Sequence, residues 1–468
     1  MAILINHLVL PSAPLAELFF GPVDQLFAAD SRNLPGRPGL SDADFVRSGV
    51  LRVILKLDCG RDLLQSLNGA YAHLIAQDVV AKSTWFDALN SPHRHAEVAK
   101  AAQSVRKTVA ALLQDRLAPI PQLDAYEVWL GDGHWHEACE KDAQVFDKSG
   151  DAARVPVGHV YFANARTGVV LHFATCEPGT QEHDMKVLMR GQIGRLKGEA
   201  GRTAEGGTRT TIAVYDRAAV NFKYWNNAKQ SQGVRLITQA KEGLVLDFVE
   251  QRIVDEADPI NARILSDTVV KKDGHLWRRI ETTRAGSPGE VIVLLTNDLQ
   301  LEPGVVAILA LRRWDLERTY DSFKNHLGQH EAWTTSLPGK NSQGEFIALA
   351  WNLLLLLEHE LEAQGVSNVA EENRRDARTA ARQAEAEEEA RIQEESHDEA
   401  RRQTGKDSGS RRLPPKAMVI VPESPEYYRA RQTRIPIKLV RWLRNHLAIT
   451  LKSWAEQLEM LRREYRHL

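Results

Sequence analysis

The sequence predicts an α/β protein: a mixed-sheet core with an inserted all-β subdomain, an N-terminal helical domain and a C-terminal helical region. Three observations carry that prediction. Residues 1–120 read as helices with short polar joints, and β-rich runs alternating with helical stretches begin near Leu123. Residues 242–297 then hold four β-rich runs with no helix between them. A chain of 468 residues is too long for one typical core, so several domains are expected.

In the N-terminal region Ser41 is placed to cap a helix beginning DADFVRSGVLRVILKL, with Asp42 and Asp44 favourable in its first turn. Further helical patterns run through LLQSLNGAYAHLIAQDVV and HAEVAKAAQSVRKTVAALL. The joint AKSTWFDALNSPHR, with Lys82, Trp85 and Arg94, suits either a DNA-contacting element or ordinary packing, and packing is the simpler choice.

From residue 121 the texture changes. AYEVWLGDGHWHEA alternates like a strand and is expected to end in its Gly-Asp-Gly turn. GHVYFANARTGVVLHFATC reads as a hairpin turning at Asn164–Gly168. EHDMKVLMRGQIGRL is helical, TRTTIAVYD is a buried-type strand ending at Asp216, NFKYWNNAKQSQ is a helix and VRLITQA a strand. These residues, 121–241, join 298–360 as one core around the 242–297 insertion. The second part of the core holds a helix LALRRWDLERTYDSFKNHL, a loop WTTSLPGKNSQGE and a buried helix FIALAWNLLLLL.

Residues 371–412 are almost all Glu, Arg, Ala and Gln, which cannot bury enough surface to fold alone and predict a solvated helix or linker. Residues 413–468 recover a basic helical pattern carrying Arg441, Arg444, Lys452, Arg462 and Arg463. The composition is 43% apolar and 26% charged with a net charge of −2, as in soluble globular proteins. Cys59, Cys139 and Cys176 are dispersed, which suits a reducing cytoplasm and offers no zinc pattern. Neither a signal peptide nor a membrane span is expected, so the localisation predicted is cytoplasmic.

Three charged residues in the Leu309–Leu327 helix share one stripe. Arg313, Glu317 and Lys324 are separated by four and then seven residues. At about 100° per residue they fall within roughly 40° of one another. Taken alone, such a stripe is more often a salt-bridged surface than a ligand site. Two strand-end carboxylates alter its meaning. Asp132 lies between Gly131 and Gly133, which permit close approach, and Asp216 closes the apolar run Ile212–Tyr215. Each also has a plain alternative, a turn residue for Asp132 and a helix cap for Asp216. Together the three acids make an all-oxygen set suited to Mg²⁺ or Mn²⁺. His134 and His136, two apart on a strand, face one way and raise a second metal possibility, but no third ligand stands at a recognisable spacing.

These residues bring a family into view. The set resembles bacterial insertion-sequence transposases with an Asp-Asp-Glu triad on an RNase H-like fold. More narrowly, it is similar to the group with a Tyr-x2-Arg-x3-Glu-x6-Lys signature around the glutamate. Arg313, Glu317 and Lys324 match that spacing, and WLGDGHW and AVYDR resemble the motifs of the two aspartates. A β-rich insertion before the glutamate is also typical of the group. One position departs from the pattern: the signature's tyrosine falls at Ala310.

The resemblance implies a DDE transposase with Asp132, Asp216 and Glu317 as catalytic metal ligands, holding two Mg²⁺ or Mn²⁺ ions. It implies DNA contacts from Arg313, Lys324 and Arg217. Trp277, flanked by Arg278 and Arg279, is a candidate to stack on an unpaired base, although a core position is the simpler reading. The expected partners are double-stranded DNA, as terminal inverted repeats and target, and a second copy of the chain in a synaptic dimer. The N-terminal helices would bind the DNA ends, the 413–468 region would support dimerisation, and the location would be the bacterial nucleoid. A nuclease of the same fold and a catalytically silent DNA-binding relative remain as alternatives.

Overall fold

Strand β1 (Tyr126–His136) is the centre of the architecture because it pairs differently along its two edges. On one side it runs antiparallel to β4 (Val157–Asn164) over its outer length, from Trp129↔Asn164 to His136↔Val157. On the other it runs parallel to β6 (Thr210–Tyr215), and that pairing stops at Leu130↔Val214. β1 therefore projects six residues beyond its parallel partner. The structure, a computed structural model, describes residues 15–27, 40–75, 79–146, 152–176, 185–199, 201, 206–284, 287–364, 378, 381 and 437–447.

The sheet has nine strands in the order β5-β4-β1-β6-β7-β11-β10-β9-β8, and it is mixed. β4 and β5 (Val170–Thr175) form the expected hairpin. Asn164 closes its turn by accepting from the backbone N–H groups of Arg166 and Thr167, and Gly168 supplies the left-handed φ of 78°. β7 (Val234–Gln239) pairs parallel to β6. The insertion contributes β8 (Asp247–Gln251), β9 (Ile264–Lys272), β10 (His275–Arg284) and β11 (Ser287–Thr296). These strands add to the edge of the core sheet through β11 against β7, so the insertion extends the core instead of closing a sheet of its own. A separate pair, β2 (Gln144–Phe146) with β3 (Ala152–Arg154), stands outside that sheet.

The N-terminal region is helical: α1 (Leu15–Phe27), α2 (Asp42–Leu55), α3 (Gly60–Leu67), α4 (Lys82–Leu89) and α5 (Pro92–Leu112). Ser41 caps α2 as its sequence predicts, its hydroxyl accepting from Asp44 N–H at 3.0 Å. Short helices α6 (Met185–Arg190), α7 (Arg195–Gly198) and α8 (Phe222–Asn227) connect the core strands. Two long helices follow, α9 (Pro303–Leu327) and α10 (Leu337–Ala363), and α11 (Ile437–Leu447) comes last.

Aromatic packing joins the N-terminal helices to the core. Phe45 of α2 meets Phe346 of α10 with ring centroids 5.5 Å apart, and Trp333 lies 6.1 Å from Phe346 and 6.3 Å from Trp85. Trp85 is fully buried and Arg94 is paired with Asp42, while Lys82 in the same joint is exposed. The apolar face of α11 is used within the chain as well, with Leu439, Trp442 and Leu443 buried. Arg444 binds the carbonyls of Ile54 and His326, and Tyr71 donates to the Arg444 carbonyl at 3.0 Å.

Two local expectations change. The Gly-Asp-Gly segment is not a turn: β1 runs straight through it, with Asp132 opposite Tyr161. Gly131 is needed for packing, because a Cβ there would sit 2.3 Å from the Phe162 ring and 2.5 Å from that of Tyr215. LPGKNSQGE, expected as loop, is the first part of α10. Pro338 occupies the first turn, where its missing N–H costs nothing, and the Ser336 hydroxyl accepts from Gly339 N–H. Gly344 lies against His172, whose Nε2 would be 2.4 Å from a Cβ.

Residues 1–358 with 424–468 make one compact unit and residues 359–423 a second. Of the second, the end of α10 and helical residues 378 and 381 are described. The remainder of the Glu- and Arg-rich stretch, residues 1–14 and the tail beyond Leu447 lie outside the described residues. Among the described residues no helix is long and apolar enough to cross a membrane.

Candidate active site

α9 packs across β1, β6 and β7, and this crossing assembles the candidate site. Asp132 lies two residues past the last β1–β6 pair, and Asp216 immediately follows β6. Both acids therefore stand at the carboxyl edge of the parallel strands, where open α/β sheets place ligands. Glu317 and Arg313 reach this edge from α9.

Arg313 is the link among them. Its Nη1 donates to Asp132 Oδ2 at 2.6 Å, and its Nη2 lies 2.9 Å from Glu317 Oε1. One guanidinium thus joins two of the three predicted acids. Its side chain is 17% exposed, against 18% for Asp132 and 37% for Glu317, so the Glu317 end opens to solvent. Burial pushes the Asp132 carboxyl up to about 6. Arg313 and the Gly133 N–H oppose that shift, while the negative charges of Asp216 and Glu317 add to it. Asp216 lines the same cavity as Arg313, which is bound to the other two acids.

Asp216 is held otherwise. Its Oδ1 accepts from Ala218 N–H at 2.9 Å, the capping alternative foreseen for it, and its carbonyl accepts from the Thr238 hydroxyl at 2.8 Å. Arg217 is exposed, and with Asp216, Gln239, Thr283, Ala310 and Arg313 it lines a cavity of ≈ 350 Å³ between α9 and strands of the sheet. Ala310, where the signature has a tyrosine, forms part of that wall. Lys324 is exposed further along α9, close enough for its charge to act on His134 and His136.

Three hard oxygen donors suit Mg²⁺ or Mn²⁺ in kind. Their present arrangement is not a cage. Among the described residues no group of three His, Cys, Asp or Glu side chains is set to hold a metal ion, and the Arg313 guanidinium is bound to both Asp132 and Glu317.

The two histidines of DGHWHE have different surroundings. His134 packs 5.0 Å from the Tyr320 ring, and burial lowers its pKa to about 3. His136 is lowered to about 4, also by burial, and its Nε2 lies 2.8 Å from His159 Nε2. His159 Nδ1 in turn lies 3.2 Å from His172 Nε2, and His172 Nδ1 3.4 Å from Glu345. His159 uses its two nitrogens on different rings, so these groups form a chain and do not converge on one point.

Trp277 is corrected from a base-stacking candidate to a core residue. It is 1% exposed, its indole N–H donates to Asn226 Oδ1 at 2.9 Å, and its ring meets Phe222 edge-on at 4.9 Å. Its neighbour Arg278 is fully buried and paired with Asp267 at 2.6 Å. A residue outside the predicted set does touch the site. Tyr320 Oη donates to the Asp132 carbonyl at 2.6 Å, tying β1 to α9 one turn beyond Glu317. The signal available was its place three residues after Glu317 on the same helix.

Asp132, Asp216, Glu317 and Arg313 thus form a polar cluster at the carboxyl edge of the parallel strands of an α/β sheet. No family model matches the chain. Over 121 residues the chain is 27% identical to a Sinorhizobium fredii protein named "Putative transposase y4zB". The alignment spans 24% of this chain and 33% of that relative, so the chain covers about a third of the relative's length.

Proposed function

We propose that the protein is a DNA transposase of an insertion sequence, of the DDE type, that cuts at transposon ends and joins the freed 3′-OH to target DNA. The observation that carries this reading is the Asp132–Arg313–Glu317 cluster at the sheet edge, with Asp216 beside it. The spacing of Arg313, Glu317 and Lys324 and the name of the Sinorhizobium relative point the same way. The sheet order also supports an RNase H-like core: an antiparallel β5-β4-β1 set continued by parallel β6 and β7.

Asp132, Asp216 and Glu317 would hold Mg²⁺ or Mn²⁺, two ions in this reading, whose chemistry is activating an attacking oxygen and stabilising a leaving one. The chain's own residues supply the rest. Arg217, exposed at the cavity mouth, and Lys324 provide charge for backbone phosphates, and Arg313 can donate two parallel N–H bonds to one phosphate. Tyr320 ties the Asp132 backbone to α9, the helix that carries Glu317. The DNA partner, the synaptic dimer and a nucleoid location belong to the same proposal.

The test uses purified protein and duplexes carrying the sequences that flank its gene, with Mg²⁺ or Mn²⁺. End cleavage followed by joined products is expected, and Glu317→Gln should abolish both while keeping duplex binding. Cleavage of the duplexes with no joined product from pre-cut ends would instead make the protein a nuclease of this fold. Binding without cleavage would make it a silent relative.

A further inference from the structure

The candidate acids carry a cation already, and it belongs to the chain. Arg313 reaches both Asp132 and Glu317 through separate nitrogens, at 2.6 and 2.9 Å. A divalent ion bridging those carboxylates would compete with that guanidinium for the same oxygens. Of the two arms the Glu317 one is the more open, its side chain 37% exposed against 18% for Asp132. Arg313 also borders the ≈ 350 Å³ cavity beside exposed Arg217, so a phosphate entering there meets two guanidinium groups.

We propose that Arg313 is an electrostatic gate, paired with Asp132 and Glu317 in the free protein and drawn onto a DNA phosphate when substrate binds, which frees both carboxylates for a divalent ion. The inference rests on the DNA-transposase reading and adds a regulation to it: substrate and cation bind cooperatively. Three features make the exchange feasible. A phosphate accepts paired guanidinium N–H groups as carboxylates do, so it can take the place of the Asp132 and Glu317 oxygens. Asp132 is then left under the negative charges of Asp216 and Glu317, which favour an incoming cation. The Tyr320 bond to the Asp132 carbonyl holds the strand in place while the guanidinium leaves. Reciprocity follows from linkage: if DNA raises the affinity for the ion, the ion raises the affinity for DNA by the same factor.

Full-length protein is titrated with Mn²⁺, followed by electron paramagnetic resonance and calorimetry, with and without a short mixed-sequence DNA duplex. The wild-type chain should bind Mn²⁺ about 5- to 150-fold more tightly with the duplex, the usual range of coupling between sites. Arg313→Met should gain a similar factor without DNA and lose the further gain on adding it. Arg313→Gln, which keeps polarity while removing charge, should behave alike, and unchanged melting curves would show that both variants fold. Equal Mn²⁺ affinity in wild type and both folded variants would overturn the gate, whatever the cleavage assay gives. A wild-type chain that binds Mn²⁺ but no duplex would refute the DNA reading itself, and with it the phosphate half of the gate. The variants would still decide the guanidinium half.

Discussion

Replacing Asp132 with Asn should stabilise the metal-free protein at neutral pH, although it removes a proposed catalytic group. Burial holds the Asp132 carboxyl at about 6 against an ordinary value of 3.8. An acid raised in the fold favours the folded state while protonated, so its contribution is full below about pH 4 and is lost as pH rises through about 6. The shift is roughly two units, and at 1.36 kcal/mol per unit the folded chain gives up about 3 kcal/mol by pH 8. Asn is uncharged at every pH and escapes that loss, while Arg313 keeps Glu317 as a partner. Urea unfolding of wild type and D132N, followed from pH 3.5 to 8, measures the difference. The two curves should nearly coincide at the acid end and separate between about pH 4 and 6, with the variant more stable above. Added Mg²⁺ should stabilise wild type by mass action and leave D132N nearly unchanged. A variant less stable than wild type at pH 8, or a gap independent of pH, would refute the electrostatic account of this site.

Tyr320→Phe should leave the fold intact, because the ring contacts with His134 and Phe323 remain, yet free the Asp132 carbonyl. Cleavage should fall mainly in kcat, with about 1 kcal/mol lost in unfolding experiments; a change confined to KM would contradict the positioning role. Trp277→Ala should cost about 3–5 kcal/mol of stability by emptying a core site, and any folded fraction should bind DNA as wild type does in a mobility-shift titration. A fold of unchanged stability with weakened DNA binding would restore Trp277 to the DNA surface. Gly49→Ala places a Cβ 2.2 Å from the Phe346 ring, so a loss of about 1–3 kcal/mol is expected. Its melting point would show at once whether α2 and α10 share one core.

The local features of this chain were legible from sequence because their causes are local. Ser41 bonds a backbone group three residues on, the Asn164–Gly168 turn closes through its own side chains, and the Arg313–Glu317 pair follows from helix periodicity alone. The order of helical region, core strands and β insertion was also written in the periodicity of the apolar residues.

What only the tertiary structure decided depends on partners far away in sequence. Gly131 looked like part of a turn because no local signal announces the Phe162 and Tyr215 rings packed against it. LPGKNSQGE looked like loop because its glycines answer to Thr334 and His172 and not to backbone freedom. Trp277 carries the same flanking arginines whether it faces DNA or the core, and Asn226, fifty-one residues away, settles which. At the site, the sequence supplied the three acids and the stripe on α9, since residue type and spacing are local properties. It could not supply the bond from Arg313 to Asp132 across 181 residues, because electrostatic partners are chosen by proximity after the chain has folded.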